Sequence, residues 1–452
     1  MSATRLDGQP KDIVMRDGGR IAAAIEVLGD VERTRRPVQD ALKDWGLTHR
    51  FAGSKDRSAI GNLVFDVLRR KASLAAVMGS DSPRALALAA AVRLWGRSVP
   101  SLDALFAEDK FAPSPLTDDE RAALAAGAVP ADAPDWVKGD YPEWLAASLA
   151  RAFGDRVVEE GEALAGRADV DLRVNTLKSG REQVLGGLTH LKAEPCRWSP
   201  VGIRIPAVDG DLRPGHVSSD LAYKKGWFEV QDEGSQLAAL IASSGGGRQV
   251  VDLCAGAGGK TLALSAALGN HGQIYAYDSD KRRFGDILDR IDRSGSRNIQ
   301  IREPRRDQDV LADLAGKSDL VLVDAPCTGS GTWRRRPDAK WRLAPGALEI
   351  RLKEQAAVLD NAVRLVKAGG RIVYITCSVL PEENEAQIAA FLARTPDFSL
   401  GDAAAAFAAV TGAAAPDLAR LGLDGHAGSM LRLTPALTGT DGFFVAVLNR
   451  AG

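Results

Sequence analysis

A hydrophobic strand that runs directly into a glycine-rich turn and then a helix restricts a chain to few folds. VVDLCAGAGGKTLALSAAL (Val250–Leu268) is such a stretch. Its turn presents backbone N–H groups and a helix N-terminus to a ligand. After SSGGG (Ser243–Gly247), strands are predicted at Gln249–Leu253, Gln273–Tyr277, Asp319–Val323 and Arg371–Ile375, with helices between them. That alternation predicts an α/β domain with a largely parallel sheet.

The glycine turn matches neither common nucleotide fingerprint. A phosphate-binding G-x-x-x-x-G-K-[ST] loop needs glycine at position 254, where Cys254 stands, although Leu320–Asp324 resembles the acidic strand that accompanies such loops. A dinucleotide G-x-G-x-x-G needs glycine at position 261, where Thr261 stands. A nucleoside-type ligand remains, with Asp278 at the end of the next strand as the acid that can accept both ribose hydroxyls, as in S-adenosylmethionine binding. The same residue is equally placed to cap a helix beginning near Asp280-Lys281-Arg282.

Two further strands end on cysteine. Asp324-Ala325-Pro326-Cys327 follows one and Thr376-Cys377-Ser378 follows the other. Reactive groups of open α/β sheets sit just past the carboxyl ends of the strands, so neighbouring strands would aim both thiols into one crevice. Carbon 5 of a pyrimidine is a poor nucleophile. A thiolate adding to carbon 6 turns the ring into an enamine that takes a methyl group at carbon 5, an acid at the ring nitrogen 3 edge assists, and a base then removes the carbon 5 proton. Cys327, Cys377 and Asp324 can supply those functions. Cys254 is expected to pack beneath its loop and offer its backbone, and Cys196 to be structural.

The 452 residues are 45% hydrophobic and 26% charged, with a formal net charge of -1. A near-neutral balance confines any nucleic-acid-binding surface to local patches. The N-terminal MSATRLDGQPKDIVMRDGG has no signal-type apolar stretch, and no later segment is long enough to span a bilayer. Four dispersed cysteines without a CxxC pair, and five histidines without ligand spacing, argue against metal or a disulfide framework and for a cytoplasmic chain.

Upstream, Gly19–Ala107 reads as helical, with amphipathic segments at Arg20–Leu28 and Arg57–Arg70. Ala107–Trp136, rich in Ala, Pro and Asp, reads as a linker or loosely packed connection. A helix is expected from Tyr141 to Gly154, a strand at Asp171–Lys178, and short strand-like pieces at Cys196–Trp198 and Ile203–Ile205. Arg173, Lys178, Arg181, Lys192, Arg197, Trp198 and Arg204 interleave charge with aromatic surface, a pattern suited to RNA. So does Trp333–Arg342, with five cations and two tryptophans. The reading divides the chain into residues 1–135, 136–240 and 241–452.

DLCAGAGGKT, AYDSD, LVLVDAPCTGSG, ITCSVLPEENE and TDGFFVAVL, with LRVNTLK (Leu172–Lys178) and FEVQDEGSQLAALIA (Phe228–Ala242), together resemble the NOP/Sun family of RNA cytosine-5 methyltransferases, especially its RsmB branch. The resemblance runs from Tyr141 to the end, and the helical N-terminal region is similar to a NusB-type RNA-binding domain. It implies a Rossmann-like class I methyltransferase with a mostly parallel seven-stranded sheet, preceded by an all-α NusB-like domain and a small α+β RNA-recognition region. It further implies Cys377 as nucleophile, Cys327 in product release, and Asp324 near donor and target base. Cys254, Ala255, Gly256, Ala257, Gly258, Gly259, Lys260 and Asp278 would bind S-adenosylmethionine. RNA would be the substrate, small-subunit ribosomal RNA ahead of transfer RNA, acted on by a monomer without metal or membrane. Family loops read Cys-Ala-Ala-Pro-Gly-Gly-Lys-Thr, whereas Gly256-Ala257 stands here for Ala-Pro. The family's third acid aligns with Arg305, leaving Asp307 as the candidate adenine contact. A DNA methyltransferase is disfavoured by the second thiol at Cys377, a non-catalytic RNA-binding assembly factor by the paired thiols, and a small-molecule methyltransferase by the long upstream region.

Overall fold

The computed structural model describes residues 15–208, 217–413 and 430–452. Its chain forms two compact units.

The first unit contains the described residues up to Tyr141 together with Pro337–Arg342. Helices at Asp17–Thr34, Val38–Thr48, Ser54–Arg69, Lys71–Met78, Pro83–Arg93, Val99–Glu108 and Asp118–Ala126 enclose a core that includes Ile21, Leu28, Ile60, Leu63, Val67 and Leu88. Both amphipathic segments anticipated from the sequence lie within these helices. The supposed linker is instead structured. Thr117 accepts from the Glu120 N–H at 3.1 Å while Glu120 accepts from the Thr117 N–H at 2.9 Å, a capping box that starts Asp118–Ala126. Leu116 and Leu124 on either side of that cap are buried in the helical core.

The helix Pro337–Arg342 completes this unit. Trp341 Nε1 donates to the Leu68 carbonyl at 2.6 Å and Lys340 Nζ to the Arg69 carbonyl at 2.9 Å. Lys340 is fully buried, and burial pushes its amine down to about 7.

The second unit holds two sheets. The small one has the order β2-β3-β1-β4, built antiparallel from β1 (Val170–Val174), β2 (Glu194–Pro195), β3 (Gly202–Ile205) and β4 (Phe228–Val230). Cys196–Trp198 is not a strand. Glu233 accepts the backbone N–H groups of Trp198 (2.6 Å) and Ser199 (2.8 Å), which draws that segment into a turn.

The large sheet contains β5 (Gln249–Asp252), β6 (Gln273–Tyr277), β7 (Ile299–Arg302), β8 (Ser318–Asp324), β9 (Val366–Thr376), β10 (Phe398–Leu400), β11 (Met430–Leu433) and β12 (Phe443–Arg450). Its order is β10-β12-β9-β8-β5-β6-β7, with β11 paired to β12. The ladders from β7 through β9 are parallel, and those made by β12 are antiparallel. Seven strands form the continuous path, and the eighth, β11, is an addition to the seven expected. The chain leaves β5 toward β6 and returns on its other side as β8, so the strand order reverses between them. Ligands of open α/β sheets bind at such a reversal, outside the carboxyl ends of the strands.

Candidate active site

The glycine turn follows β5 as anticipated. Ala255 N–H donates to the Tyr277 carbonyl at 2.8 Å, and Gly258 N–H closes the turn on the Ala255 carbonyl at 2.8 Å. Gly256 and Gly258 have φ values of +50° and +82°, which other residues adopt only at a cost. A Cβ at Gly258 would also stand 2.7 Å from Ile287, whereas the space at Gly256 is open. The helix Gly259–Ala267 begins there, aiming its N-terminus at the crevice. Cys254 is buried beneath the turn, and burial raises its thiol well above the usual range. Ala257 is exposed, and its carbonyl accepts from Arg290.

Asp278 follows β6, buried, and does two things at once. Oδ2 accepts from the Gly256 N–H at 3.0 Å, with Arg283 at 3.3 Å, and Oδ1 accepts from the Asp280 N–H at 3.0 Å. Asp280, rather than Asp278, caps the short helical turn Lys281–Phe284. A carboxylate offers about four acceptor positions, so Asp278 can organise the turn and still take a ligand hydroxyl. Asp252, at the end of β5, accepts from Thr261 Oγ1 at 2.7 Å through Oδ2. Its Oδ1 is buried with no hydrogen-bond partner among the described residues, and burial pushes the carboxyl up to about 7. An orphaned buried acceptor next to open glycine backbone and a spare carboxylate position fits a ligand with an ammonium and ribose hydroxyls.

Asp307 occupies an exposed turn after β7, closed by an Arg305–Gln308 bridge.

β8 and β9 lie side by side with Asp324 opposite Ile375, and Ala325 N–H continues the ladder to the Ile375 carbonyl at 2.8 Å. Both cysteines therefore emerge at the same edge. Cys327 and Cys377 are half-buried free thiols with their sulfurs 3.4 Å apart. The hydrogen bond with Cys377, followed by burial, holds the Cys327 thiol well above its usual range, so Cys327 keeps its proton. Lys260 from the glycine loop reaches across to Asp324, Nζ to Oδ2 at 2.6 Å. Burial opposes the Lys260 ammonium, but Asp324 outweighs it and lifts its pKa, with Cys377 adding to the effect. Two thiols, a carboxylate and a cation are thus collected at one point.

Below the thiols the two loops are tightly joined. Ser330 Oγ and Ser378 Oγ are 2.9 Å apart, Val379 N–H donates to Ser330 Oγ at 2.9 Å, and Gly331 N–H to the Cys377 carbonyl at 2.9 Å. Gly331 also packs against Gly442, where a Cβ would come within 2.1 Å of the Gly442 oxygen. The sequence reading missed Glu383, whose carboxylate is fully buried and receives the Thr328 N–H at 2.8 Å. The PEENE segment was legible, but the partners that give Glu383 meaning lie far away in sequence.

The cation-rich segments divide between the fold and the surface. Arg334 and Arg335 pair with Asp441, and Arg335 also with Asp232 at 2.8 Å. Trp333 and Lys340 are buried, Arg342 pairs with Asp338 at 2.9 Å, and Arg336 is exposed. In the small-sheet region, Arg173 is buried against Gln231 at 2.6 Å, and Arg204 forks onto Asp171 at 2.8 and 2.9 Å. Trp198 is buried, its indole donating to the Thr438 carbonyl at 3.1 Å. Of the residues that read as an RNA face, Arg173 and Trp198 are interior and Arg204 is held by Asp171, whereas Arg181 is half-buried and Lys178, Lys192 and Arg197 stay exposed.

Among the described residues no group of acids, cysteines and histidines is placed to hold a metal ion, and no helix is long and apolar enough to cross a membrane. Residues 239–449 match the sequence model of the 16S rRNA methyltransferase RsmB/F family, and residues 141–208 that of an RsmF/B-like ferredoxin-like domain. A ribosomal RNA small subunit methyltransferase B from Salmonella arizonae is 34% identical over 264 residues, covering 58% of this chain and 60% of that protein. The chain thus matches little more than half the length of that relative. The solved structure of PH0851 superposes over 97% of this chain and 100% of its own, with TM-score 0.69 and 25% identity. A methyltransferase homologue from Pyrococcus horikoshii superposes over 70% of this chain and 97% of its own, with TM-score 0.56 and 26% identity. The fold is the Rossmann-like methyltransferase fold, and the orphaned Asp252 acceptor, open glycine turn and Asp278 fit its methyl donor. The chain belongs to the NOP/Sun, RsmB-like family of methyltransferases, with S-adenosylmethionine as its cofactor.

Proposed function

We propose that this chain methylates carbon 5 of cytosine in RNA, with small-subunit ribosomal RNA as substrate. The observation that carries the proposal is the 3.4 Å separation of two free thiols at the ends of adjacent parallel strands. A binding factor has no use for that pair, whereas addition to carbon 6 followed by elimination uses both.

S-adenosylmethionine supplies an electrophilic methyl group, held by the backbone of Cys254, Ala255, Gly256, Ala257, Gly258, Gly259 and Lys260 and by the acids Asp252 and Asp278. Cys377, as thiolate, adds to carbon 6 of cytosine and places the displaced electron pair at carbon 5. The Lys260 ammonium, fixed by Asp324 at 2.6 Å, stands beside the attacking sulfur. At the ring nitrogen 3 edge Asp324 acts as a proton carrier, passing a proton from the Lys260 ammonium to that nitrogen on addition and taking it back on release. After methyl transfer, Cys327 passes its proton to the departing Cys377 sulfur, 3.4 Å away, and takes up the proton lost from carbon 5, so the ring double bond is restored and both thiols end protonated. Asp307, exposed on its turn, retains at most an adenine-edge role that requires the loop to shift.

The same reading assigns residues 1–135 to RNA binding, 136–240 to RNA recognition and 241–452 to methyl transfer. The test incubates the full chain with labelled S-adenosylmethionine and small-subunit ribosomal RNA or transfer RNA. Label at cytosine carbon 5, lost in Cys377→Ala, and a protein–RNA adduct that accumulates in Cys327→Ala, are the expected results. Label in transfer RNA alone would move the substrate. Absence of transfer to any RNA would overturn the proposal.

A further inference from the structure

Cys327 is gripped from both sides by a buried network outside the cysteine pair. Glu383 Oε1 accepts from the Thr328 N–H at 2.8 Å and from Gln355 Nε2 at 3.0 Å, and Oε2 accepts from Thr328 Oγ1 at 2.5 Å. Gln355 Nε2 also donates to the Pro326 carbonyl at 2.9 Å. The residue before Cys327 and the residue after it are thereby tied to one carboxylate and one amide.

Glu383 is itself held firmly. Its backbone carbonyl accepts from Tyr374 Oη at 2.7 Å, inside the β9 core. Its neighbours are anchored too: Asn384 Oδ1 accepts from Thr376 Oγ1 at 2.6 Å, Asn384 Nδ2 donates to the Ser378 carbonyl at 2.9 Å, and Glu382 pairs with Arg151. The loop that bears Cys377 and the group that holds the Cys327 loop are therefore one piece of chain.

An acid is costly at this position. Glu383 is fully buried, its partners are the Thr328 N–H, the Thr328 and Ser378 hydroxyls and the Gln355 amide rather than a cation, and burial raises its carboxyl above the ordinary range. A loop that needed only to be filled would accept a neutral side chain. A buried carboxylate supplies strong, short hydrogen bonds that fix geometry, and its negative field also favours the protonated form of Cys327.

We propose that Glu383, acting through Thr328 and Gln355, is the positioning residue for Cys327, setting the placement of that thiol against Cys377 for the release step. The inference rests on the two-thiol reading above. It separates the two halves of the reaction: loosening the clamp leaves addition and methyl transfer to Cys377 but slows release.

The experiment compares wild type, Glu383→Gln, Thr328→Val, Thr328→Ser and Cys327→Ala, each as the full chain with a small-subunit ribosomal RNA transcript and S-adenosylmethionine. Methyl transfer is read in a single turnover, trapped adduct on denaturing gels, and stability by thermal unfolding. Thr328→Val and Glu383→Gln should raise the trapped adduct and lower multiple turnover by about tenfold, the scale of one charge-assisted hydrogen bond, with single-turnover transfer within about threefold of wild type. Thr328→Ser keeps the hydroxyl and should restore release, which a merely structural role does not require. If Glu383→Gln does not fold, the Thr328→Val and Thr328→Ser pair decides the matter. Adduct at the wild-type level in the clamp variants, while Cys327→Ala accumulates it, would overturn the clamp and leave the two-thiol reading intact. Absence of adduct in Cys327→Ala would overturn both.

Discussion

Replacing Lys340 with methionine probes how the helix after the cysteine loop is held. The Lys340 side chain is 1% exposed and its amine is pushed down to about 7, chiefly by burial. An unfolded lysine titrates near ~10.4. Between those two values the unfolded chain binds one proton more than the folded chain, so stability rises with pH through the window and is lost as pH falls toward the folded value. At about 1.4 kcal/mol per pH unit, with half the folded amines still charged at the start, the gain from about pH 7 to about pH 9 integrates to about 2 kcal/mol. Lys340→Met has no titrating group and similar length, and gives up the donors to the Arg69 and Asp140 carbonyls. Urea unfolding of the full chain, followed by tryptophan fluorescence at both pH values, measures the effect. Wild type should gain about 2 kcal/mol more than the variant over that interval. Equal gains in the two proteins would show that another group titrates and that Lys340 is not a neutralised buried amine.

Two further outcomes follow from residues the sequence left open. Asp278→Ala should weaken S-adenosylmethionine binding by about tenfold or more in calorimetry, because it removes both the ribose acceptor and the support of the Gly256 N–H, whereas Asp307→Ala should leave binding within about twofold; the reverse order would give Asp307 the cofactor role. Leu124→Ala should cost about 2–5 kcal/mol in denaturant unfolding, as for a buried leucine. A loss below about 0.5 kcal/mol would return Ala107–Trp136 to the status of a loose connection.

What the sequence alone determined was local. The runs Gln249–Asp252 and Gln273–Tyr277 read as strands because apolar β-formers cluster over a few residues, and the turn at Gly256 and Gly258 because only glycine adopts those backbone angles cheaply. Cys327 and Cys377 were visible as groups just past apolar strands, and strand ends are where open α/β sheets place reactive groups. Even Thr117–Glu120 carried a readable capping signal, hidden by its alanine- and proline-rich surroundings. The tertiary structure decided which side chains meet. Lys260 finds Asp324 across 64 residues, Arg335 finds Asp441 across 106, and Glu383 finds Thr328 across 55. A lysine or arginine looks the same in sequence whether it faces solvent or a buried carboxylate. The distinction depends on desolvation and on partners that folding alone brings within hydrogen-bond reach, which is why Arg173, Arg334 and Arg335 proved structural while Lys178, Lys192 and Arg197 stay exposed, and why the pairing of the two thiols was foreseen.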